Sequence, residues 1–181
     1  MRVFISSTME DLKDERIALV KAINQNRFWE AVYAESFVAR SESPREVCLD
    51  EVRKSHVYIG IFKNRYGYIP ENNNPQGVSA VILEYEEAKN NQLPIIILIC
   101  KNASKKEPQL EKFLKELTDF DRGHWRKEYS TVDEFVQLAI ESINYELTKA
   151  TVEKIETKRK EQIKSIYNLP YFKRVIEKFQ K

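Results

Sequence analysis

An α/β fold, with an open parallel sheet of five strands, helices on both faces and a helical C-terminal extension, is predicted by three features of the sequence. Strand and helix signals alternate about five times along the first 150 residues, which is the pattern of βαβ units rather than of a bundle or a sandwich. Two runs, HVYIGIF at 56–62 and LPIIILIC at 93–100, are apolar almost without interruption, as strands covered on both faces are. With 181 residues, 42% of them hydrophobic, and only four glycines and six prolines, the chain can bury one real core but is short for two domains of ordinary size. One domain over 1–150 and a tail or linker at 151–181 are therefore expected.

The elements follow in order. RVFIS at 2–6 reads as the first strand, and Leu12, Ile17, Leu19, Val20 and Ile23 recur near helical spacing from Asp11 onward. Thr8 with Asp11 resembles a capping box for that helix, and Ser7 is the other candidate cap. FWEAVY at 28–33 suggests a second strand. Ser43-Pro44-Arg45-Glu46 then supplies a cap, a proline suited to the first helical position and an acid at the third, so a helix runs to about Lys54. The run at 56–62 is the third and central strand, and Asn64–Gly77, including ENNNPQG, is the longest irregular connection. A helix at about 79–91, the strand at 93–100, a helix at 108–118, a weaker strand at 125–129 and a long helix from Thr131–Glu134 to Thr148 complete the domain.

Charge is balanced overall at +2, but unevenly placed: residues 151–181 carry nine basic and four acidic side chains. A polyanion or an acidic partner would thus concern the tail, and nucleic acid is not the expected partner of the domain. The tail has a charged helical stretch followed by IYNLPYFKRVIEKF, whose apolar residues suit docking on the core or on a partner. Cys48 and Cys100 lie in or beside apolar segments, so buried free thiols in a reducing compartment are expected. The start MRVFISSTMEDL has no leader-like apolar stretch and the longest apolar run is far too short for a bilayer, which points to a cytoplasmic protein without a membrane span.

An open α/β sheet places ligands outside the carboxyl ends of its strands. Ser6, Ser7 and Thr8 after the first strand, and Asn64, Arg65, Tyr66 and Gly67 after the third, are therefore positional candidates. Hydroxyls and amides beside a helix start suit a phosphate or ribose oxygen, and Arg65 can fork onto phosphate; helix capping and a surface ion pair are the plainer roles. No GxGxxG or GxxxxGK[ST] follows the first strand, which argues against a standard dinucleotide fold or a P-loop ATPase. His56 and His124 have no cysteine or acid cluster at zinc spacing, so no metal site is expected. On the helix at 79–91, Val78, Val81, Ile82, Tyr85 and Ala88 form one apolar arc, Glu84 and Glu86 flank it on opposite sides, and Glu87 points to solvent. Periodicity does not choose between the flanking acids.

Three ordered segments, VFISSTMEDLKDER, CLDEVRKSHVYIGIFKNRYG and GVSAVILEYEEAKNNQLPIII, resemble a family of uncharacterised domains related to Toll/interleukin-1 receptor (TIR) domains. These domains often precede NACHT-type or other ATPase modules in bacterial and archaeal signalling proteins. The resemblance covers about residues 1–145 and implies a flavodoxin-like sheet. It also implies one of two functions: cleavage of the nicotinamide–ribose bond of NAD, as an NAD glycohydrolase in signalling or antiviral defence, or protein association without catalysis. In NAD-cleaving relatives a glutamate on the helix after the third strand contacts the nicotinamide-side ribose; the carry-over falls on Glu84. Ser6 and Ser7, with Thr8 beside them, would lie near the ligand, and Arg65 and Tyr66 of the RYG segment would border the pocket. Asp11, Glu15 and Arg16 could instead lock the first helix by ionic contacts. The aromatic-rich loop of many active relatives has no clear counterpart, and Trp29, Tyr33 and Phe37 are the stacking candidates. The resemblance implies NAD as substrate with no other cofactor, a homo-oligomer, and a downstream ATPase or effector domain as partner.

Overall fold

The computed structural model describes residues 1–103 and 105–167. Strands Arg2–Ser7 (β1), Glu30–Val32 (β2), Val57–Phe62 (β3), Ile95–Cys100 (β4) and Arg126–Tyr129 (β5) form one sheet of order β2-β1-β3-β4-β5, and every pairing is parallel. Helices Lys13–Gln25 (α1), Pro44–Arg53 (α2), Ala80–Asn90 (α3), Pro108–Leu117 (α4) and Val132–Tyr167 (α5) connect and follow the strands. The predicted α/β class with a flavodoxin-like order and a C-terminal helix is the observed one. Because the chain steps from β1 to β2 on one side and then to β3 on the other, a crevice opens outside the carboxyl ends of β1 and β3.

Side-chain alternation along each strand sorts the core into two layers. Phe4, Tyr58, Phe62, Ile97 and Ile99 face Val52 of α2, Val81, Tyr85 and Ala88 of α3, and Leu110, Leu114 and Leu117 of α4 in one buried cluster. Val3, Ile5, Ile59, Ile61 and Leu98 alternate with them and are equally buried, as are Leu19 and Ile23 of α1 and Phe135, Ala139 and Ile143 of α5. Each fully buried side chain of this size contributes about 1.5–3 kcal/mol of transfer free energy.

Local signals explain most element ends. Ser43 caps α2 through a complete capping box with Glu46, and Pro44 opens the helix. α1 begins at Lys13, later than expected, and has no side-chain cap. The reason is that Thr8 donates to the Asp11 carboxylate, whose other oxygen accepts from the Asn64 N–H at 3.1 Å and the Arg65 N–H at 3.3 Å. Asp11 thus ties the loop after β3 instead of starting its own helix. β2 keeps three residues of the expected six; Phe28, at 75% exposure, lies outside it. α5 continues past Thr148 because no glycine or proline interrupts 132–167.

Two compact units divide at Ile143 and Asn144. In the second, the helix is exposed from Thr148 to Ser165, with Tyr145, Val152, Ile155 and Ile163 among the large apolar side chains in solvent. The apolar end expected to dock falls, from residue 168 onward, outside the described residues. Among the described residues no helix is long and apolar enough to cross a membrane, and no group of His, Cys, Asp or Glu could hold a metal ion.

Candidate functional site

The alternation that sorts the core also separates the first three candidates. Ser6 shares its face with Phe4 and so points toward α3, where its hydroxyl donates to Glu84 Oε2 at 2.5 Å. Ser7 points to the opposite face and accepts from Arg16 Nη1 at 3.1 Å. Thr8 is nearly buried and occupied with Asp11. Gly60 is the β3 partner of Ser6 in the sheet; a Cβ there would meet the Phe62 ring at 3.0 Å and the Tyr58 ring at 3.1 Å. The two rings close over the glycine, which leaves the Tyr58 phenol beside Ser6 and Glu84 in a wholly desolvated position.

Glu84 lies in the second turn of α3 and is half-buried along its length. Burial of its carboxyl pushes its pKa up to about 7, against the opposing pull of the hydrogen bonds from Ser6 and the Cys48 thiol. Cys48, on α2, feels the reciprocal effect: desolvation, and then the Glu84 charge, push the thiol up to about 12. It is a neutral donor, not a thiolate nucleophile. The expectation that both cysteines are buried free thiols holds for Cys100; Cys48 is only half-buried because it lines a cavity.

That cavity, about 460 Å³, opens between α2, α3 and the loop after β3, and Glu84 and Cys48 form part of its wall with Arg45, Leu83, Tyr68 and Asn73. Arg45 Nη1 donates to the Asn72 and Asn73 carbonyls at 3.0 and 2.7 Å, and so straps the ENNNPQG loop over the mouth of α2. Asn74 braces the same loop through Pro70 and Val78. The volume suits a nucleoside-sized ligand, and the wall combines one perturbed carboxyl, one guanidinium and apolar surface.

Arg65 and Tyr66 stand apart from this cavity, whose lining includes neither. Arg65 is exposed, while the Tyr66 N–H donates to Glu107 at 2.6 Å and its ring packs on the core. Trp29, Tyr33 and Phe37 do not line it either. Of the acids on α3, Glu86 is exposed, whereas Glu87 is not simply in solvent: it pairs with Arg53 at 2.7 Å and accepts from Asn91. Cys48, Arg45 and the 68–73 loop were not among the sequence candidates. Only the capping box and the turn-rich composition marked their segments.

A second polar cluster lies on the other face of the sheet. Arg16, 4% exposed, donates to Glu35, Ser7 and the Thr8 and Met9 carbonyls. Glu15, equally buried, accepts from Lys63 at 3.1 Å and the Tyr129 hydroxyl at 3.3 Å. These residues lock α1 to β1, to β5 and to the segments just after β2 and β3, across elements and not along the helix.

Residues 2–144 match the family of a domain of unknown function, DUF4062. The chain belongs to this family. Among curated proteins it is similar to telomerase protein component 1 of Mus musculus, 36% identical over 83 residues, and of Rattus norvegicus, 34% identical over 83 residues. Each match covers 39% of this chain and 3% of the longer protein, so the chain spans only a small fraction of these relatives. Among solved structures it is similar to the Clostridium botulinum CMP N-glycosidase BcmB (TM-score 0.46, 17% identity, 76% of this chain and 96% of that one). It is likewise similar to the TIR domains of the activated Roq1 resistosome (TM-score 0.45, 13% identity, 79% and 83%). Likeness at this level carries nothing about activity.

Proposed function

We propose that this DUF4062 domain cleaves an N-glycosidic bond of a nucleotide, with Glu84 as the catalytic carboxylate and the nicotinamide–ribose bond of NAD as the substrate bond. The observation that carries the reading is the Ser6–Glu84 hydrogen bond of 2.5 Å behind a cavity of about 460 Å³, in which Glu84 has a pKa near 7. Perturbed carboxyls in clefts are where catalytic acids and bases concentrate. Nicotinamide departs with the electron pair of the broken C1′–N bond as a neutral base, so no general acid is needed. The Glu84 carboxylate would orient the ribose hydroxyls and stabilise the oxocarbenium-like charge at C1′. Water then adds to C1′ and gives up a proton, yielding ADP-ribose; attack by the adenine ring would give a cyclic product. Ser6 holds the carboxylate from behind. Ser7, Thr8, Arg65 and Tyr66 would bear on the ligand only through the loops they brace.

The association reading rests on a different observation, the exposed apolar side chains of Tyr145, Val152, Ile155 and Ile163 on α5. On that reading the helix mediates self-assembly or joins a downstream ATPase or effector domain. Both readings can hold in one molecule if assembly completes the site. The deciding experiment incubates the chain with NAD, dilute and concentrated, and follows nicotinamide release beside Glu84→Gln. Release by the wild type and its loss in the variant are expected. Release that survives in folded Glu84→Gln removes Glu84 from the mechanism; no release at any concentration leaves association as the function.

A further inference from the structure

The most exposed large side chains of the first unit sit together, far along the chain from Glu84. Phe120 is 97% and Trp125 87% exposed, and both border a second cavity of about 530 Å³ beside β5. Phe28 and Tyr68 are also exposed, but they lie in separate loops; Phe120 and Trp125 put two rings in solvent within six residues on one cavity rim, and such patches mark binding surfaces.

The strand beside them is an open edge. β5 is the last strand of the sheet and pairs only with β4. The Tyr129 carbonyl accepts from the Lys101 N–H at 2.8 Å, so Tyr129 turns its backbone toward β4. By the alternation of a parallel ladder, Arg126 and Glu128 turn their N–H and C=O groups to the open side. Edges of this kind are templates for an added strand.

Charge selects what would add. Along this edge Asp119 is spent on the Asp121 and Arg122 N–H groups, and Glu128 pairs with Arg126 at 3.3 Å. Lys101 and Lys127, which line the same cavity, have no carboxylate partner among the described residues. The edge therefore presents net positive charge with two aromatic anchors.

We propose that the β5 edge and the Phe120–Trp125 loop dock an extended acidic segment of a partner protein, which adds to the sheet as a sixth strand. Backbone pairing at Arg126 and Glu128 gives affinity, an apolar side chain between Phe120 and Trp125 gives selectivity, and Lys101 and Lys127 favour acidic flanks. This site is independent of the Glu84 reading.

The probe is a fluorescent octapeptide alternating valine and glutamate with one central phenylalanine, tested on the full chain beside the same peptide with lysine for glutamate and one with a central proline. Saturable binding of the acidic peptide alone is expected, with amide shifts at 126–128 in NMR. Trp125→Ala should weaken it at least about tenfold. Glu128→Pro removes an outward N–H without touching the β4 ladder and should do the same. Unchanged melting of Trp125→Ala, whose ring is in solvent, separates this loss from unfolding. The proposal is overturned by equal binding of the lysine or proline peptide, by binding indifferent to Trp125, or by no binding up to millimolar peptide. It is equally overturned if a single-stranded oligonucleotide, or a second copy of the chain, takes the Trp125 surface instead.

Discussion

Glu84 is asked to be ionised in catalysis and yet sits where ionisation is disfavoured, and both sides of that conflict are measurable. Its protonated form is favoured by folding, since its pKa is raised from 4.5 to about 7. The folded state then binds more protons than the unfolded state between these values, and stability falls as pH rises through that window. Glu84→Gln, which keeps an acceptor for Ser6 but has no charge to desolvate, should match the wild type near pH 4 and be more stable by up to about 3 kcal/mol at pH 8. Urea denaturation at the two pH values checks this. If the carboxylate is the working form, nicotinamide release should rise toward a plateau above pH 7. Ser6→Ala removes a donor that favours the charged form and should move the Glu84 midpoint, followed by carboxyl ¹³C NMR, roughly one unit further upward.

At the scale of single elements, α1 and β3 carry the clearest constraints. Arg16 satisfies two backbone carbonyls, Ser7 and Glu35 from a buried position. Arg16→Ala would strand those partners and should cost about 2–4 kcal/mol, less than a wholly buried pair because Glu35 is 41% exposed. Gly60 needs no special backbone angle; its smallness is what matters, because the Tyr58 and Phe62 rings occupy the space of a Cβ. Gly60→Ala should destabilise by about 1–3 kcal/mol and loosen the Tyr58–Ser6–Glu84 layer. A variant as stable as wild type would show that the rings relax freely.

Across the whole molecule, the sheet places the crevice, and α5 is exposed from Thr148 to Ser165. Side chains from Val152 to Ile163 are exposed, so removing them takes away little apolar burial. A chain ending at Ala150 should melt within about 2 °C of the full chain, by calorimetry, while any self-association that depends on the extended helix would be lost. A large drop in melting temperature would instead mean that the extension packs on the domain in solution.

Much of this architecture was legible in the sequence because its signals are local. The continuous apolar runs at 56–62 and 93–100, the Ser43–Glu46 box at its fixed spacing and the apolar arc of Val81, Ile82, Tyr85 and Ala88 at a period of 3.6 residues are each read over a few neighbouring residues. Ser6 and Ser7 were both candidates in the sequence; the alternation of β1 puts them on opposite faces, and only Ser6 reaches α3. Periodicity left Glu84 and Glu86 equivalent as flanks of the arc; only packing of α3 beside β1 and α2 desolvated the first and left the second in water. Likewise Asp11 had the spacing of a capping residue, but the loop after β3 offered it two unpaired amides, and Glu87 found Arg53 from another helix. Cys48, Arg45 and Asn73 meet Glu84 from separate segments, and no short-range pattern records such a meeting. Residue order therefore determined which elements form and which face each presents, since backbone geometry fixes those over a few residues. Which carboxyl lost its water was decided only when three distant segments closed around it, because desolvation and charge pairing depend on distance in space and not along the chain.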